Sequence, residues 1–119
     1  MRLLLSWQNL VSKYQLQLAE VHYIDTGASM SAVDNSIMQR LQINPIGQLA
    51  IGGVAGNNQH NIYPAKMVIP SLQPFNFASI VGVELKDHAT PIVALIGRDV
   101  LSLCIFTYNG TTGSFSLAL

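Results

Sequence analysis

Alternation of apolar and polar residues dominates the chain and predicts a protein built mainly from β-strands. The clearest example is residues 15–24, where Leu16, Leu18 and Tyr23 lie along a strand that runs directly into the acid Asp25. Similar apolar segments predict further strands at residues 49–51, 61–69, 75–85, 91–96 and 114–119. The apolar run at 91–96 is nearly continuous, which is typical of a strand buried on both faces.

Glycine and asparagine residues separate two of these strands. Residues 52–58 read Gly-Gly-Val-Ala-Gly-Asn-Asn, a composition typical of the tip of a β-hairpin. The strands at 49–51 and 61–69 are therefore predicted to form one long hairpin.

Two short helices are predicted between the strands. The first spans residues 31–41, with Ser31 as its N-cap and with Val33, Ile37 and Leu41 on one face at a spacing of four. The second, of one or two turns, spans residues 99–104. The sequence therefore predicts an all-β fold with one or two short helices.

The composition limits the size of the protein and its partners. A chain of 119 residues indicates one domain, residues 1–119, with a single hydrophobic core. With 50% hydrophobic and 10% charged residues, the chain is apolar for a small monomer, and a homodimer that covers part of this surface is expected. The six Lys and Arg balance the six Asp and Glu without runs of either sign, so nucleic acid is not an expected partner.

Other features of the sequence concern its cellular setting. No segment approaches the length of apolar sequence that a membrane span needs, so no membrane span is expected in this chain. Gln8 and Lys13 interrupt the apolar beginning, and no small-residue cleavage site follows, so a signal peptide is not predicted. Cys104, the single cysteine, lies among apolar residues and is predicted to be a buried thiol. A soluble protein in a reducing compartment such as the cytoplasm fits this composition.

The first candidate for chemistry is the segment Asp25, Thr26 and Gly27. The acid follows an apolar strand and precedes a glycine that can bend the chain sharply, so amide groups of the loop can point at its carboxylate. The same pattern also describes an acid that merely caps a strand-to-turn bend. Taken alone, this segment favours the plainer interpretation.

A second segment, about seventy residues later, strengthens the functional interpretation. The apolar strand at residues 91–96 ends in Gly97, which allows another stretch of backbone to pass close by without meeting a side chain. Arg98 and Asp99 then begin the second predicted helix. By itself, this segment is also an ordinary strand-turn-helix with a surface ion pair.

These segments resemble the retropepsin-like aspartic proteases, nearer to the cellular and bacterial members than to the viral ones. Residues 24–29 resemble the active-site loop of that family, residues 51–56 its flap tip, and residues 96–101 the segment after its interior strand. Residues 1–14 depart from the pattern because they lack the glycine or proline of the family's first hairpin. The resemblance implies a closed β-barrel with a flap hairpin, in which each subunit of a homodimer supplies one catalytic acid.

The resemblance assigns a role to each matching residue. Asp25 would be the catalytic acid, Thr26 would form a hydrogen bond across the dimer, and Gly27 would contact the substrate backbone. The residues that would line and close the substrate pocket are Ala28, Ser29, Gly52, Gly53 and Val54. The residues that would support the site structurally are Gly97, Arg98 and Asp99. No cofactor and no metal are implied.

The activity that the resemblance implies is hydrolysis of a peptide or polyprotein. Two carboxylates brought together across a dimer axis share one proton and activate a water molecule. The alternative is a catalytically silent dimerisation or peptide-binding module with the same fold. Other chemistries have little support: His22, His60 and His88 lack the spacing of metal ligands, and neither a phosphate-binding loop nor a serine-hydrolase elbow is present.

Overall fold

The computed structural model describes residues 5–8, 15–18, 21–53, 56–68, 75–85 and 92–118. Within these ranges the chain forms mostly β-strands with two short helices, as the alternating pattern predicts. The strands are β1 (Leu5–Gln8), β2 (Gln15–Leu18), β3 (Val21–Ile24), β4 (Ala32–Asp34), β5 (Gly47–Gly53), β6 (Gly56–Val68), β7 (Phe75–Val83), β8 (Ile92–Ile96), β9 (Ile105–Asn109) and β10 (Ser114–Ala118). The helices are α1 (Asn35–Arg40) and α2 (Arg98–Leu101).

Most of the strands belong to one sheet with the order β2-β1-β6-β7-β4-β8-β3, which β5 joins by pairing with β6. In its interior, β4 runs parallel to β7 and antiparallel to β8, while β3 runs parallel to β8. The path has two ends, β2 and β3, and no pairing within the described ranges joins them. The closed barrel expected from the sequence is therefore not found among the described residues.

The strand predicted for residues 15–24 is described as two strands with different neighbours. Its first part, β2, pairs with β1, and its last part, β3, pairs with β8. Residues 19–20, which connect the two, lie outside the described ranges. The part that reaches Asp25 is thus held by β8.

The predicted hairpin is present as β5 and β6. Their antiparallel pairing extends from Gly47 opposite Ile62 to Gly53 opposite Gly56. Val54, at the predicted tip, lies outside the described residues. The ladder places the two strands of the hairpin in one register along the whole length of β5.

The hydrophobic core lies between the sheet and α1. Ile37 and Met38 of α1 are fully buried and belong to the same cluster as Val33 of β4 and Trp7 of β1. The rings of Trp7 and Phe77 stack with their centroids 6.3 Å apart. Burying each large apolar side chain contributes about 1.5–3 kcal/mol, so this cluster stabilises the interior strands on which the candidate site lies.

Helix α1 is shorter than the helix predicted for residues 31–41, and the predicted N-cap is wrong. Residues 32–34 form β4 instead, because they pair with β7 and β8, and strand pairing outweighs the local helical pattern. The helix begins after Asp34, whose carboxylate accepts a hydrogen bond from the Ser36 N–H at 3.0 Å. Ser31 lies before β4 and caps no helix.

The last predicted strand is present as β10, of which Ala118 is the final described residue. Its antiparallel partner β9 is a strand that the sequence pattern did not predict. Phe106 and Phe115 on this hairpin have ring centroids 6.3 Å apart, and Leu117 packs against the main core. The hairpin forms a two-stranded sheet that is separate from the main sheet.

Candidate active site

The candidate acid Asp25 follows β3 at the point where β3 and β8 run parallel. The last pair of residues is Ile24 opposite Ile96, and the Asp25 N–H donates a hydrogen bond to the Ile96 carbonyl oxygen at 2.9 Å. Ile96 is fully buried, whereas Asp25 is half-buried. The acid therefore lies where the chain emerges from the core, at the carboxyl ends of two parallel strands.

The Asp25 carboxylate is oriented by residues 25–31, the Asp25 loop, which connects β3 to β4. Its Oδ1 accepts a hydrogen bond from the Gly27 N–H at 2.9 Å, and the Asp25 carbonyl oxygen accepts one from the Ala28 N–H at 3.2 Å. A Cβ atom at position 27 would lie 3.2 Å from that Oδ1, closer than ordinary van der Waals contact. Glycine thus allows the carboxylate to turn back over the loop.

At Gly97, the backbone that follows β8 passes close to the backbone of the Asp25 loop. A Cβ atom there would lie 2.8 Å from the carbonyl carbon of Met30 and 2.9 Å from the carbonyl oxygen of Ala28. These are backbone atoms that cannot rotate away, so any side chain at this position would displace the loop. The close passage of a second backbone segment that the sequence predicts at Gly97 is observed.

Arg98, the first residue of α2, is bonded to the same loop twice. Its backbone N–H donates to the Ala28 carbonyl oxygen at 2.8 Å, and its Nη1 donates to the Thr26 carbonyl oxygen at 2.8 Å. The side chain is exposed, so the guanidinium reaches back over the surface of the loop. Its observed partner is a backbone carbonyl within the subunit.

Ser31 belongs to the site although the sequence pattern placed it at the start of a helix. It is only 1% exposed, and its Oγ donates to Asp99 Oδ1 at 2.6 Å and accepts from the Gly97 N–H at 2.9 Å. The Ser31 N–H donates to Asp99 Oδ2 at 2.9 Å. The two partners lie 68 positions apart, and neither residue type carries a local signal for this contact.

The predicted substrate-contacting residues occupy two separate elements of the fold. Ala28 is half-buried and Ser29 is exposed, both on the loop that follows β3. Gly52 and Gly53 lie at the end of β5, opposite β6. The third predicted residue of the hairpin, Val54, lies outside the described residues.

The histidines and the cysteine form no cluster in the described ranges. His22 of β3 is fully buried, and its Nε2 accepts a hydrogen bond from Trp7 Nε1 at 3.3 Å. Burial raises the pKa of the half-buried Cys104 thiol, which makes it a poor nucleophile near neutral pH. His60 is half-buried on β6, and His88 lies outside the described residues. Among the residues described, no three His, Cys, Asp or Glu side chains are arranged to hold a metal ion.

In the described part of the chain, neither helix has the length and apolar character needed to cross a lipid bilayer. In comparisons with known proteins, no family model and no curated protein sequence matches this chain. The functional interpretation therefore depends on the geometry around Asp25.

Proposed function

We propose that this protein is an aspartic endopeptidase of the retropepsin type that acts as a homodimer. The observation that carries the proposal is the Asp25 loop, in which a half-buried acid is oriented by the Gly27 N–H and lies against the segment that follows β8. An acid that only caps a turn does not need a second backbone segment packed beside it. The retropepsin-like fold is part of the proposal, supported by the parallel β3–β8 pair, by β4 alongside β8, and by the glycine-rich β5–β6 hairpin.

The proposed chemistry needs two copies of Asp25. Across a two-fold axis, two carboxylates within hydrogen-bond distance cannot both ionise readily, so the pair holds one proton, as in known aspartic protease dyads. The ionised carboxylate takes a proton from a water molecule, and the protonated carboxylate polarises the scissile carbonyl group.

The water oxygen attacks the carbonyl carbon while the carbonyl oxygen takes the proton of the protonated carboxylate, which gives a tetrahedral diol. The carboxyl group that took the proton from water then gives it to the amide nitrogen, and the C–N bond breaks. The other carboxylate recovers its proton from a hydroxyl of the diol, so the products are one peptide with a new carboxyl end and one with a new amino end. Thr26 donates its hydrogen bond across the same axis.

Exposed apolar side chains near the carboxyl end of the described chain support the homodimer. Leu103 and Ile105 are each 64% exposed, and Tyr108 is 57% exposed. Ile105 and Tyr108 lie on β9, and β10 is the only strand that pairs with β9 within the described residues. Pairing with strands of a second copy covers these side chains and extends the sheet.

The proposed substrate is an extended peptide, free or within a polyprotein. It lies between the Asp25 loop and the β5–β6 hairpin and forms main-chain hydrogen bonds in the manner of an added strand. Gly52, Gly53 and Val54 close over the peptide, while Ala28 and Ser29 line the pocket. These small and apolar residues favour apolar side chains in the substrate.

Replacement of the acid tests the proposal. Asp25→Asn keeps the size of the side chain but cannot form the proton-sharing pair, so cleavage of a peptide library should fall to background while sedimentation still shows a dimer. Glu84→Gln is the matched control, because Glu84 is an exposed carboxylate whose contact is with Asn35. This control should cleave as the wild type does. Undiminished cleavage by Asp25→Asn would remove this acid from the mechanism.

A statine-type peptide mimic separates the protease from a silent peptide-binding module. An enzyme with a working pair of acids binds a tetrahedral mimic much more tightly than the matching substrate peptide. We expect this preference in the wild type and its loss in Asp25→Asn. Equal affinity for the mimic and the peptide, together with no cleavage, would favour the silent module.

A further inference from the structure

Both ends of the Asp25 loop are fixed to one short segment, residues 96–99, which joins the end of β8 to the start of α2. At the first end, the Asp25 N–H is bonded to the Ile96 carbonyl oxygen at 2.9 Å. At the far end, Ser31 is bonded to Gly97 and to Asp99. Ile96 and Gly97 are buried, so the start of this segment is held in place by the core. The path of the Asp25 loop therefore depends on its hydrogen bonds to this segment at both ends.

We propose that Asp99 is a positioning residue that sets the geometry of the Asp25 loop through Ser31. Its two carboxylate oxygens accept from different groups of one residue, the Ser31 N–H at 2.9 Å and the Ser31 Oγ at 2.6 Å. Two bonds to one residue fix its orientation as well as its position, and hydrogen bonds to a charged acceptor are stronger than neutral ones. The inference rests on the proposed function only for its effect on catalysis.

The contacts of Asp99 distinguish this role from that of a local helix residue. Within α2, the Asp99 Oδ1 also accepts a hydrogen bond from the Val100 N–H at 2.9 Å. This local bond satisfies a donor in the first turn of the helix and does not involve the Asp25 loop. The bonds to Ser31 cross from α2 to the segment before β4, and Ser31 is nearly inaccessible to water. Without the carboxylate, two donors of a buried residue would lose their acceptors, which is costly.

The predicted consequence is a loop that loosens while the rest of the fold persists. In Asp99→Ala, hydrogen exchange of the Ser31 amide, followed by NMR, should speed up by about ten- to a hundredfold. Asp99→Asn keeps the shape of the side chain but offers one acceptor oxygen, so it should give a smaller increase in the same direction. Ser31→Ala removes the hydroxyl contacts to Gly97 and Asp99 but keeps the Ser31 backbone N–H. This variant should also loosen the loop, because the loss is on the Ser31 side of the same contact.

Asp34→Asn is a matched control, because Asp34 is a second carboxylate that joins distant parts of the chain. It accepts hydrogen bonds from the Ser36 N–H at 3.0 Å and from the Leu85 N–H at 2.8 Å. This variant should speed up exchange of the Ser36 amide and leave the Ser31 amide protected. The Asp99 variants should show the reverse pattern.

Kinetics on the homodimer then connect the loop to catalysis. Asp99→Ala and Ser31→Ala should lower kcat by about tenfold or more, because misplacing a reacting group slows chemistry steeply, while KM changes less than twofold. Asp34→Asn, compared at equal concentration of folded dimer, should keep the wild-type kcat.

The outcomes separate this inference from the proposed function. If the wild-type protein cleaves no peptide, the proposed function fails, yet Ser31 exchange still decides whether Asp99 fixes the loop. Unchanged Ser31 exchange in Asp99→Ala would overturn the inference, and so would an unchanged kcat in a variant whose Ser31 amide has lost its protection. If Asp99→Ala does not fold, the same two measurements, Ser31 amide exchange in Asp99→Asn and kcat in Asp99→Asn and Ser31→Ala, test the inference instead.

Discussion

The Asp25 loop and the β5–β6 hairpin are both assigned to the proposed site, but they are held in different ways. The loop is fixed from outside, by hydrogen bonds and close backbone contact with residues 96–99. In the hairpin, residues 56–61 of β6 pair only with β5 among the described residues, whereas residues 62–68 also pair with β7 and β1. Residues 47–50 of β5 are exposed. The difference indicates that the Asp25 loop opens less easily than the free end of the β5–β6 hairpin, which is the proposed lid over the substrate.

Glycines in the two regions illustrate this contrast. Gly97 has no room for a side chain, because backbone atoms of the loop lie within 3 Å of where its Cβ would be. Gly56 on the hairpin has open space, with nothing within 4 Å, but its φ of +103° strains any other residue. Crowding thus limits substitution at the loop, whereas backbone conformation limits it at the hairpin.

The largest effect is expected for Gly97→Ala. Its methyl group would push against the backbone of Met30 and Ala28, at a cost of about 1–3 kcal/mol or more, and the displaced loop should lose all measurable cleavage. Urea unfolding and a peptide assay measure the two effects. Gly47→Ala on the hairpin is the control, because its Cβ would meet only Ile62 side-chain atoms at 3.7 Å and beyond. Equal unfolding midpoints and activities for the two variants would contradict the contrast.

An intermediate effect is expected for Gly56→Ala. Forcing a non-glycine residue into the left-handed region costs about 1–2 kcal/mol, but Gly56 pairs only with Gly53 among the described residues, so we expect the cost to fall on local opening of the hairpin end. KM for a peptide should therefore rise by about tenfold, while the urea midpoint stays near that of the wild type. A lowered midpoint with an unchanged KM would show that the hairpin end is part of the stable core.

The smallest effect is expected for Arg98→Lys. The substitution keeps the positive charge and the backbone bond to Ala28 but loses the Nη1 contact with the Thr26 carbonyl oxygen. One exposed hydrogen bond contributes about 0.5–1.5 kcal/mol, so kcat should fall by only a few-fold. A loss as large as that of Gly97→Ala would mean that the guanidinium has a further partner, for example across the dimer.

Local sequence patterns predicted those parts of the fold whose signal is contained in neighbouring residues. The apolar strand that leads to Asp25, the glycine-rich β5–β6 hairpin and the buried strand that ends at Gly97 are each a short run with its own period or turn residues. The close approach at Gly97 was predicted because a glycine beside a buried strand often marks a place where another backbone passes closely.

Features that depend on distant partners were not predictable in this way. Val33 has a helical spacing with Ile37 and Leu41, yet pairing with β7 and β8 makes residues 32–34 a strand. The bond between Ser31 and Asp99 joins positions 68 apart, and a serine before an apolar run is equally typical of a helix cap. The strand β9 (Ile105–Asn109) was missed although it consists mostly of β-branched and aromatic residues, which are typical of strands.

The separation of the two Asp25 carboxylates in the homodimer tests the central claim most directly. A crystal structure of the dimer, bound to a peptide mimic, should place carboxylate oxygens of the two subunits about 3 Å apart, beneath the β5–β6 hairpins. Two acids far apart in every assembly, or acids that face bulk solvent away from any groove, would contradict the account.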